Sequence, residues 1–333
     1  MNIAIIYGGK SVEHEISVIT ALGAYEALKD KYEISLLYFN KSNELFLLEE
    51  PIFINNKKPI KISLINGGYM CKKHKKRLDM AILCTHGGAM EGGGLQGLLE
   101  LYNICYTGSD HITSSILIDK IFTKEILKNN DIPVVEYAYS KNVINYSMPC
   151  IVKPSRLGSS IGIKVCYDNL EKSIIEGLEF DERVLIEKYL KEFKEYNIAV
   201  LSGDEVVLSN IEEVYKSDDI LSYDDKYKSK SDKRIIPAII DEKIENEIKE
   251  IALKSTKILN IKGVARFDFL YDGKLYLNEI NSIPGSLAYY LFDISYLDLL
   301  ENLMKIALLD FQRKAKRKTH FDIDLLDIRG AKK

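Results

Sequence analysis

Residues 266–281 read RFDFLYDGKLYLNEIN, two alternating apolar and polar runs around an Asp272-Gly273 pair. Asp-Gly between such runs is a strong hairpin signal, because the tight turn needs left-handed backbone at its centre. A two-residue turn there sets Arg266 opposite Glu279, Asp268 opposite Leu277 and Val264 opposite Asn281. Side chains alternate along a strand, so Arg266, Asp268, Glu279 and Asn281 share one face. Ala265, Phe267, Phe269, Tyr276 and Ile280 make the other, a core-facing set with Asn278 as the exception. Two carboxylates and an amide oxygen form a hard-cation site of the kind that holds Mg²⁺ beside nucleotide phosphates. The alternative, from these residues alone, is a surface hairpin with one Arg–Glu pair worth under about 1 kcal/mol.

Outward from the hairpin, 333 residues allow two or three domains. A 46% hydrophobic, 29% charged composition is that of a soluble globular chain, and a net charge of −3 gives no reason to expect nucleic-acid or membrane partners. The basic runs 72–77 and 313–318 read as solvated surface. Five cysteines, odd in number and without a CxxC pair, point to free thiols in a reducing compartment. The opening strand lacks a basic lead or cleavage site, and no apolar stretch is long enough to span a bilayer. A cytoplasmic protein is expected.

Strands at 2–7, 33–39 and 80–85 alternate with helical patterns at 14–29 and 95–102, which predicts a parallel α/β layer up to residue 108. A helix is expected over 112–129, strands at 150–153, 161–166 and 184–189, and helices at 241–259 and 289–307. Residues 215–233 are polar and without period, a long loop of the functional or disordered kind.

Four further segments carry chemistry. KPSRLGSSIG at 153–162 offers small residues, backbone N–H groups and hydroxyls to phosphates, with Lys153 supplying charge; a plain strand connection is the alternative. GGKSVEHEIS at 8–17 joins the first strand to the first helix, the ligand edge of an open sheet, although Glu13 and Glu15 also suit a helix N-terminus. It has no GxGxxG, which excludes a dinucleotide-binding reading. HGGAMEGGGLQG at 86–97 is a tight ligand-facing loop in which His86 is a wall residue rather than a metal ligand. LIEKYL at 185–190 is a strand whose free edge could pair with adenine, with Glu187 and Glu195 near a ribose; taken by itself, a structural strand is the favoured reading.

Together with YTGSD…DK at 106–120, these segments resemble the D-alanine–D-alanine ligase family of the ATP-grasp superfamily, from Met1 to about Asp310. The resemblance implies an α/β ATP-grasp fold in three parts: residues 1–108 for substrate, 109–190 as the central part, and 191–333 with the metal hairpin and a 215–233 lid. It implies ATP as co-substrate, two Mg²⁺ ions (with Mn²⁺ as a substitute) on Asp268, Glu279 and Asn281, and a homodimer. Lys120 and Lys153 would contact phosphates, with Glu187, Lys188, Leu190 and Glu195 around adenine and ribose. Glu13 would take the first D-alanine's ammonium beside His86, and Arg266 with the Gly285 N–H would form an oxyanion site. Lys226 and Tyr227 would close the lid, Tyr227 joining Ser159 and Glu13. The implied activity is ligation of two D-alanines through a D-alanyl phosphate, for bacterial wall precursors.

Tyr290 departs from the family, standing where a serine often binds the second substrate's carboxylate. A D-serine or depsipeptide ligase is therefore the nearest rival, and a silent nucleotide-sensing module is a rival of another class. Relatives that use lactate tend to carry a histidine in the lid, so Tyr227 favours alanine. The 314–333 tail runs past the family's usual end.

Overall fold

The computed structural model describes residues 1–51, 59–139, 146–215 and 234–318. The 216–233 part of the lid, with Lys226 and Tyr227, and the tail beyond 318 lie outside the described residues.

Among the described residues, three sheets follow one another along the chain. The first contains β1 (Asn2–Gly8), β2 (Glu33–Phe39), β3 (Leu45–Leu48), β4 (Ile60–Ile65), β5 (Gly68–Cys71), β6 (His74–Arg77) and β7 (Met80–Leu83), in the order β6-β5-β4-β3-β2-β1-β7. Only β2, β1 and β7 run parallel; β3 to β6 add an antiparallel flap. The expected all-parallel layer is thus a mixed sheet. The basic run at 72–77 lies largely in the exposed outermost strand, where lysines discourage pairing with another chain's edge. Ile3 to Ile6, Leu37, Met80 and Ile82 are fully buried, as a parallel sheet covered on both faces requires. Helix His14–Leu28 covers it, and so does Tyr296–Ala315 from the far end of the chain, through Leu299, Leu300 and Leu303.

The second sheet, β8 (Tyr137–Ala138), β9 (Cys150–Pro154), β10 (Lys164–Cys166) and β11 (Val184–Lys188), runs β10-β9-β11-β8. The third, β12 (Lys194–Ser202), β13 (Val206–Val214), β14 (Arg234–Ile235), β15 (Gly263–Tyr271) and β16 (Leu275–Asn281), runs β14-β13-β12-β15-β16. Helix Glu242–Ile258 packs on the core face of the third sheet, burying Ile248, Ile251 and Ala252 with Phe267 and Phe269.

The β15–β16 hairpin departs from the expected register in two places, by one residue each and in the same sense. Its loop has three residues, Asp272 to Lys274, with Gly273 at φ +102°, so Tyr271 pairs with Leu275. A bulge at Asn278 then moves the pairing by one more, setting Asp268 opposite Glu279 and Arg266 opposite Asn281. Either shift alone would turn one strand over; the two restore the parity that puts all four groups on one face. Leu277, expected on the metal face, is buried with Phe269, while Tyr276 is only half-buried. Asn278 is the extra residue of the bulge, hence its exception to the alternation.

The single helix expected over 112–129 is two, His111–Ile118 and Lys120–Lys128, broken at Asp119. Asp119 caps the second by accepting from the N–H groups of Ile121 and Phe122. An aspartate that satisfies two orphan donors outside helical geometry is a good place for such a break. The break aims Lys120, first residue of the second helix, inward. The last helix begins at Tyr296 rather than 289, capped by Ser295. Between it and β16, Ser286, Leu287 and Ala288 form one left-handed turn at φ 50–52°. Non-glycine residues held there cost on the order of 1–3 kcal/mol each, a strain found mostly at functional sites.

Candidate active site

A cavity of about 320 Å³ opens where the sheets meet. Its floor is the polar face of the third sheet. The registers align Glu212 with Asn197, Asn197 with Asp268, and Asp268 with Glu279, one row across four strands. Arg266 and Asn281 form the next row and Glu195 lies on the other side. Opposite stand Glu13, Thr20, His86 and Glu91 from the first layer, Gly158 and Ser159 from the glycine-serine loop, and Lys120. Gly285 and Tyr290 close one end.

Along the hairpin face, carboxylates and cations are paired. Arg266 grips Asp268 through two hydrogen bonds, Nε to Oδ1 at 2.7 Å and Nη2 to Oδ2 at 2.8 Å, so its partner is Asp268 and not the glutamate first set opposite it. Burial works against the guanidinium, but Asp268 outweighs it and holds the charge firmly in place. Asn281 Nδ2 donates to Asp268 Oδ2 at 3.1 Å. Lys120 Nζ lies 2.9 Å from Glu279 Oε1 and donates to the Leu157 carbonyl at 2.7 Å. Burial again opposes the ammonium, and Glu279 more than offsets it, so the Lys120 pKa is raised. Asp268, Glu279 and Asn281 are therefore hard oxygen donors on one face, charge-balanced by Arg266 and Lys120. That set fits a divalent cation that takes further ligands from phosphate oxygens. Among the described residues no three His, Cys, Asp or Glu side chains converge as a ready-made cage.

Behind the cavity, Glu187 sits between two lysines, with Lys124 Nζ 2.6 Å away and Lys153 closer still. All three are buried. Burial alone would raise the Glu187 carboxyl; the two lysines reverse this and lower it. Burial, with Lys153 nearby, pushes Lys124 down despite Glu187. Lys153 also reaches Asn278 Oδ1 at 3.4 Å.

Across the cavity, Ser159 donates to Glu13 Oε1. Glycine leaves room on both sides of that carboxylate: a Cβ on Gly87 would come within 2.6 Å of Glu13 Oε2, and one on Gly158 within 2.8 Å, so a side chain at either place would displace it. His86 Nε2 lies 2.8 Å from Thr20 Oγ1, which accepts from the Ser286 N–H at 3.0 Å. The Ile283 carbonyl acts as an acceptor for His86, and a ring that keeps its proton toward that carbonyl leaves Nε2 to accept from the Thr20 hydroxyl. Burial pushes His86 down to about 4, so the ring is neutral. Glu91 Oε2 accepts from the Gly87 N–H at 2.7 Å, and Oε1 from the Ile283 N–H at 3.1 Å and the Ser282 hydroxyl at 3.2 Å. The first layer thus fastens the 282–286 segment that carries Gly285.

Residues 2–109 match the D-ala D-ala ligase N-terminus family and residues 121–298 the D-ala D-ala ligase C-terminus family. The D-alanine–D-alanine ligase of Thermosipho melanesiensis is 37% identical, with 100% of both chains covered. The chain belongs to the D-alanine–D-alanine ligase family. Among solved structures, the Helicobacter pylori D-alanine–D-alanine ligase is 30% identical with a TM-score of 0.77, covering 92% of this chain and 98% of its own. The VanG D-Ala:D-Ser ligase of Enterococcus faecalis is 27% identical with a TM-score of 0.81, covering 92% and 99%. The fold is the ATP-grasp fold of these ligases.

Set against the family's expected roles, Glu13, His86, Lys120, Ser159 and Glu195 reach the one cavity, as do Arg266, Asp268, Glu279, Asn281, Gly285 and Tyr290. Lys153 and Glu187 stand behind its wall, bound to each other. Lys188 and Leu190 line a separate hollow of about 410 Å³ with Tyr137 and Tyr276. The free-edge reading of LIEKYL is corrected: β11 pairs with β9 and β8 at Glu187, and the Lys188 N–H donates to Glu136 O. The ladder ends only after Lys188. Sequence reading missed Thr20, Glu91, Lys124, Asn197, Glu212 and Arg234. Two had signals: Glu91 is an acid inside a glycine loop, and Lys124 lies one helical turn past Lys120 on the same face.

Proposed function

We propose that this chain joins two D-alanines at the expense of ATP, giving D-alanyl-D-alanine, ADP and phosphate for peptidoglycan. The observation that carries this reading is the shared face of Arg266, Asp268, Glu279 and Asn281, met by Lys120 on the wall of the cavity that also holds Glu13 and His86.

A carboxylate is a poor acyl donor at neutral pH, so ATP first phosphorylates the first D-alanine. Glu13, steadied by Ser159, receives its ammonium, and neutral His86 lines that subsite. Lys120 and Lys153 serve the phosphates, and Glu187, Lys188, Leu190 and Glu195 the adenine and ribose. Asp268, Glu279 and Asn281 would hold two Mg²⁺ ions, or Mn²⁺ in their place, and such ions would supply positive charge to the transferring phosphoryl group. Arg266 and the Gly285 N–H face the oxyanion that forms when the second amine attacks; one such donor is worth about 2.7–4 kcal/mol. Tyr290 replaces serine as the hydroxyl for the second carboxylate. Lys226 and Tyr227 exclude water from the acyl phosphate when the lid closes.

We further assign residues 1–108, 109–190 and 191–333 to the N-terminal, central and C-terminal parts, and a cytoplasmic homodimer to the working enzyme. No helix among the described residues is long and apolar enough to cross a membrane. Phosphate release and product mass, measured with D-alanine alone and then with D-serine or D-lactate added, test the assignment. D-Alanyl-D-alanine with stoichiometric phosphate is expected; no ATP turnover with D-alanine would overturn it.

A further inference from the structure

The outer end of the cavity floor carries polar groups that the steps above leave unused. Glu212 and Asn197 line the cavity at 1% and 4% exposure. Asn197 Nδ2 donates to Glu212 Oε2 at 3.0 Å, which fixes the amide and turns Asn197 Oδ1 away from Glu212. Among the described residues, neither Asn197 Oδ1 nor Glu212 Oε1 has a hydrogen-bond partner; Oε1 lies 3.6 Å from Arg234 Nε, at ion-pair range. A buried acceptor left unbonded costs about 1–3 kcal/mol, so two in one wall call for an occupant rich in donors. Groups of opposite character stand beside them. The Arg266 charge acts on the buried Tyr290 hydroxyl, and the Arg234 guanidinium lies 5.9 Å from the Tyr290 ring centre.

An α-amino acid zwitterion has the matching polarity, three N–H donors at one end and a carboxylate at the other. We propose that Glu212 and Asn197 receive the ammonium of the second D-alanine, and that Glu212 takes the proton it must lose before attack. This rests on the ligase reading. The carboxylate end then faces Arg234 and the Tyr290 hydroxyl.

The step balances. One ammonium proton passes to the Glu212 carboxylate and frees the nitrogen lone pair. That pair forms the C–N bond to the acyl carbon, the C–O bond to phosphate breaks, and the leaving phosphate carries off the nitrogen's second surplus proton. Glu212 returns its proton to water when the product leaves. Burial favours the protonated carboxyl, an effect that Asn197, Arg234 and Arg266 oppose and Asp268 reinforces, which suits a group that must gain a proton. A hydroxy acid brings one donor in place of three, so the same pair selects an amino acid over D-lactate.

Hydroxylamine is largely uncharged at neutral pH and needs no base to attack an acyl phosphate. The test compares dipeptide formation with hydroxamate formation from D-alanine, ATP and hydroxylamine. In Glu212→Gln, dipeptide turnover should fall on the order of 10²-fold or more, while hydroxamate formation stays within about threefold of the unaltered enzyme, which also reports that the variant is folded. Asn197→Ala should raise the KM for the second D-alanine about tenfold, the effect of a lost hydrogen bond of roughly 1.4 kcal/mol, with hydroxamate again unchanged. Equal loss of both products, unchanged dipeptide turnover, or a weakened Mn²⁺ affinity in a direct titration would each overturn the proposal. If the unaltered enzyme makes neither product, the ligase reading fails first.

Discussion

The Lys124–Glu187–Lys153 group allows a prediction whose sign depends on which member is removed. It buries two positive charges and one negative, with Lys124 and Glu187 at 1% and 3% side-chain exposure. Glu187→Gln leaves two ammonium groups facing each other without an anion. Breaking a buried pair from one side costs about 3–5 kcal/mol. Lys124→Met instead removes the surplus cation, relieves its desolvation and leaves Glu187 paired with Lys153; buried ion pairs replaced by apolar groups of similar shape are often near neutral, so a change within about 1 kcal/mol is expected. At about 2–4 °C per kcal/mol for a folding unit of 150–250 residues, Glu187→Gln lowers the transition on the order of 10 °C and Lys124→Met by a few degrees at most. The pH dependence gives a second check. Without Glu187 the Lys124 pKa, already lowered by burial, falls further below the unfolded one, so the unfolded chain binds more protons and stability rises as pH increases from neutrality. Nucleotide-free thermal and urea unfolding at two pH values measures both effects. Equal destabilisation by the two substitutions, or a Glu187→Gln deficit that does not shrink at alkaline pH, would refute this account.

Glu279→Gln should abolish turnover and weaken Mn²⁺ binding in a direct titration, since Lys120 then loses its partner and the cation a carboxylate; near-normal activity in saturating Mg²⁺ would contradict that role. Gly158→Ala places a methyl 2.8 Å from the Glu13 carboxylate and should raise the KM for the first D-alanine at least about tenfold, with ATP affinity little changed in a nucleotide titration. Burial first, and then the Glu13 charge, push Glu91 up to about 7. A raised carboxyl favours the folded state below that value, so stability falls as pH rises toward 7, by about 1.4 kcal/mol per pH unit at most. Glu91→Gln should flatten that slope, which unfolding curves between about pH 5 and 7 would register.

The apolar face and the four polar groups of the β15–β16 hairpin were legible because alternation needs only local sequence. Their register was not, since a three-residue loop and a bulge at Asn278 leave no mark beyond one glycine and one misplaced asparagine. The parity survived because both departures fall between the same two strands. Helix boundaries followed caps, as at Asp119 and Ser295, more than hydrophobic periodicity. Glu212 and Asn197 were invisible for a different reason: only the pairing of β12 with β15, fixed by contacts distant in sequence, brings them into line with Asp268. The second edge of β11 was likewise hidden, because β8 is two residues long and has no periodicity to read.

The placement of the last helix has a consequence for synthesis. Leu299, Leu300, Leu303 and Met304 belong to the same core as the opening strand, Ile3 to Ile6. Domains emerging from the ribosome usually settle from the N-terminus onward. Here the first segment made waits for one of the last, so its oily underside stays uncovered until nearly three hundred further residues have been translated. A nascent chain of this ligase is therefore a natural client for chaperones that shield such surfaces.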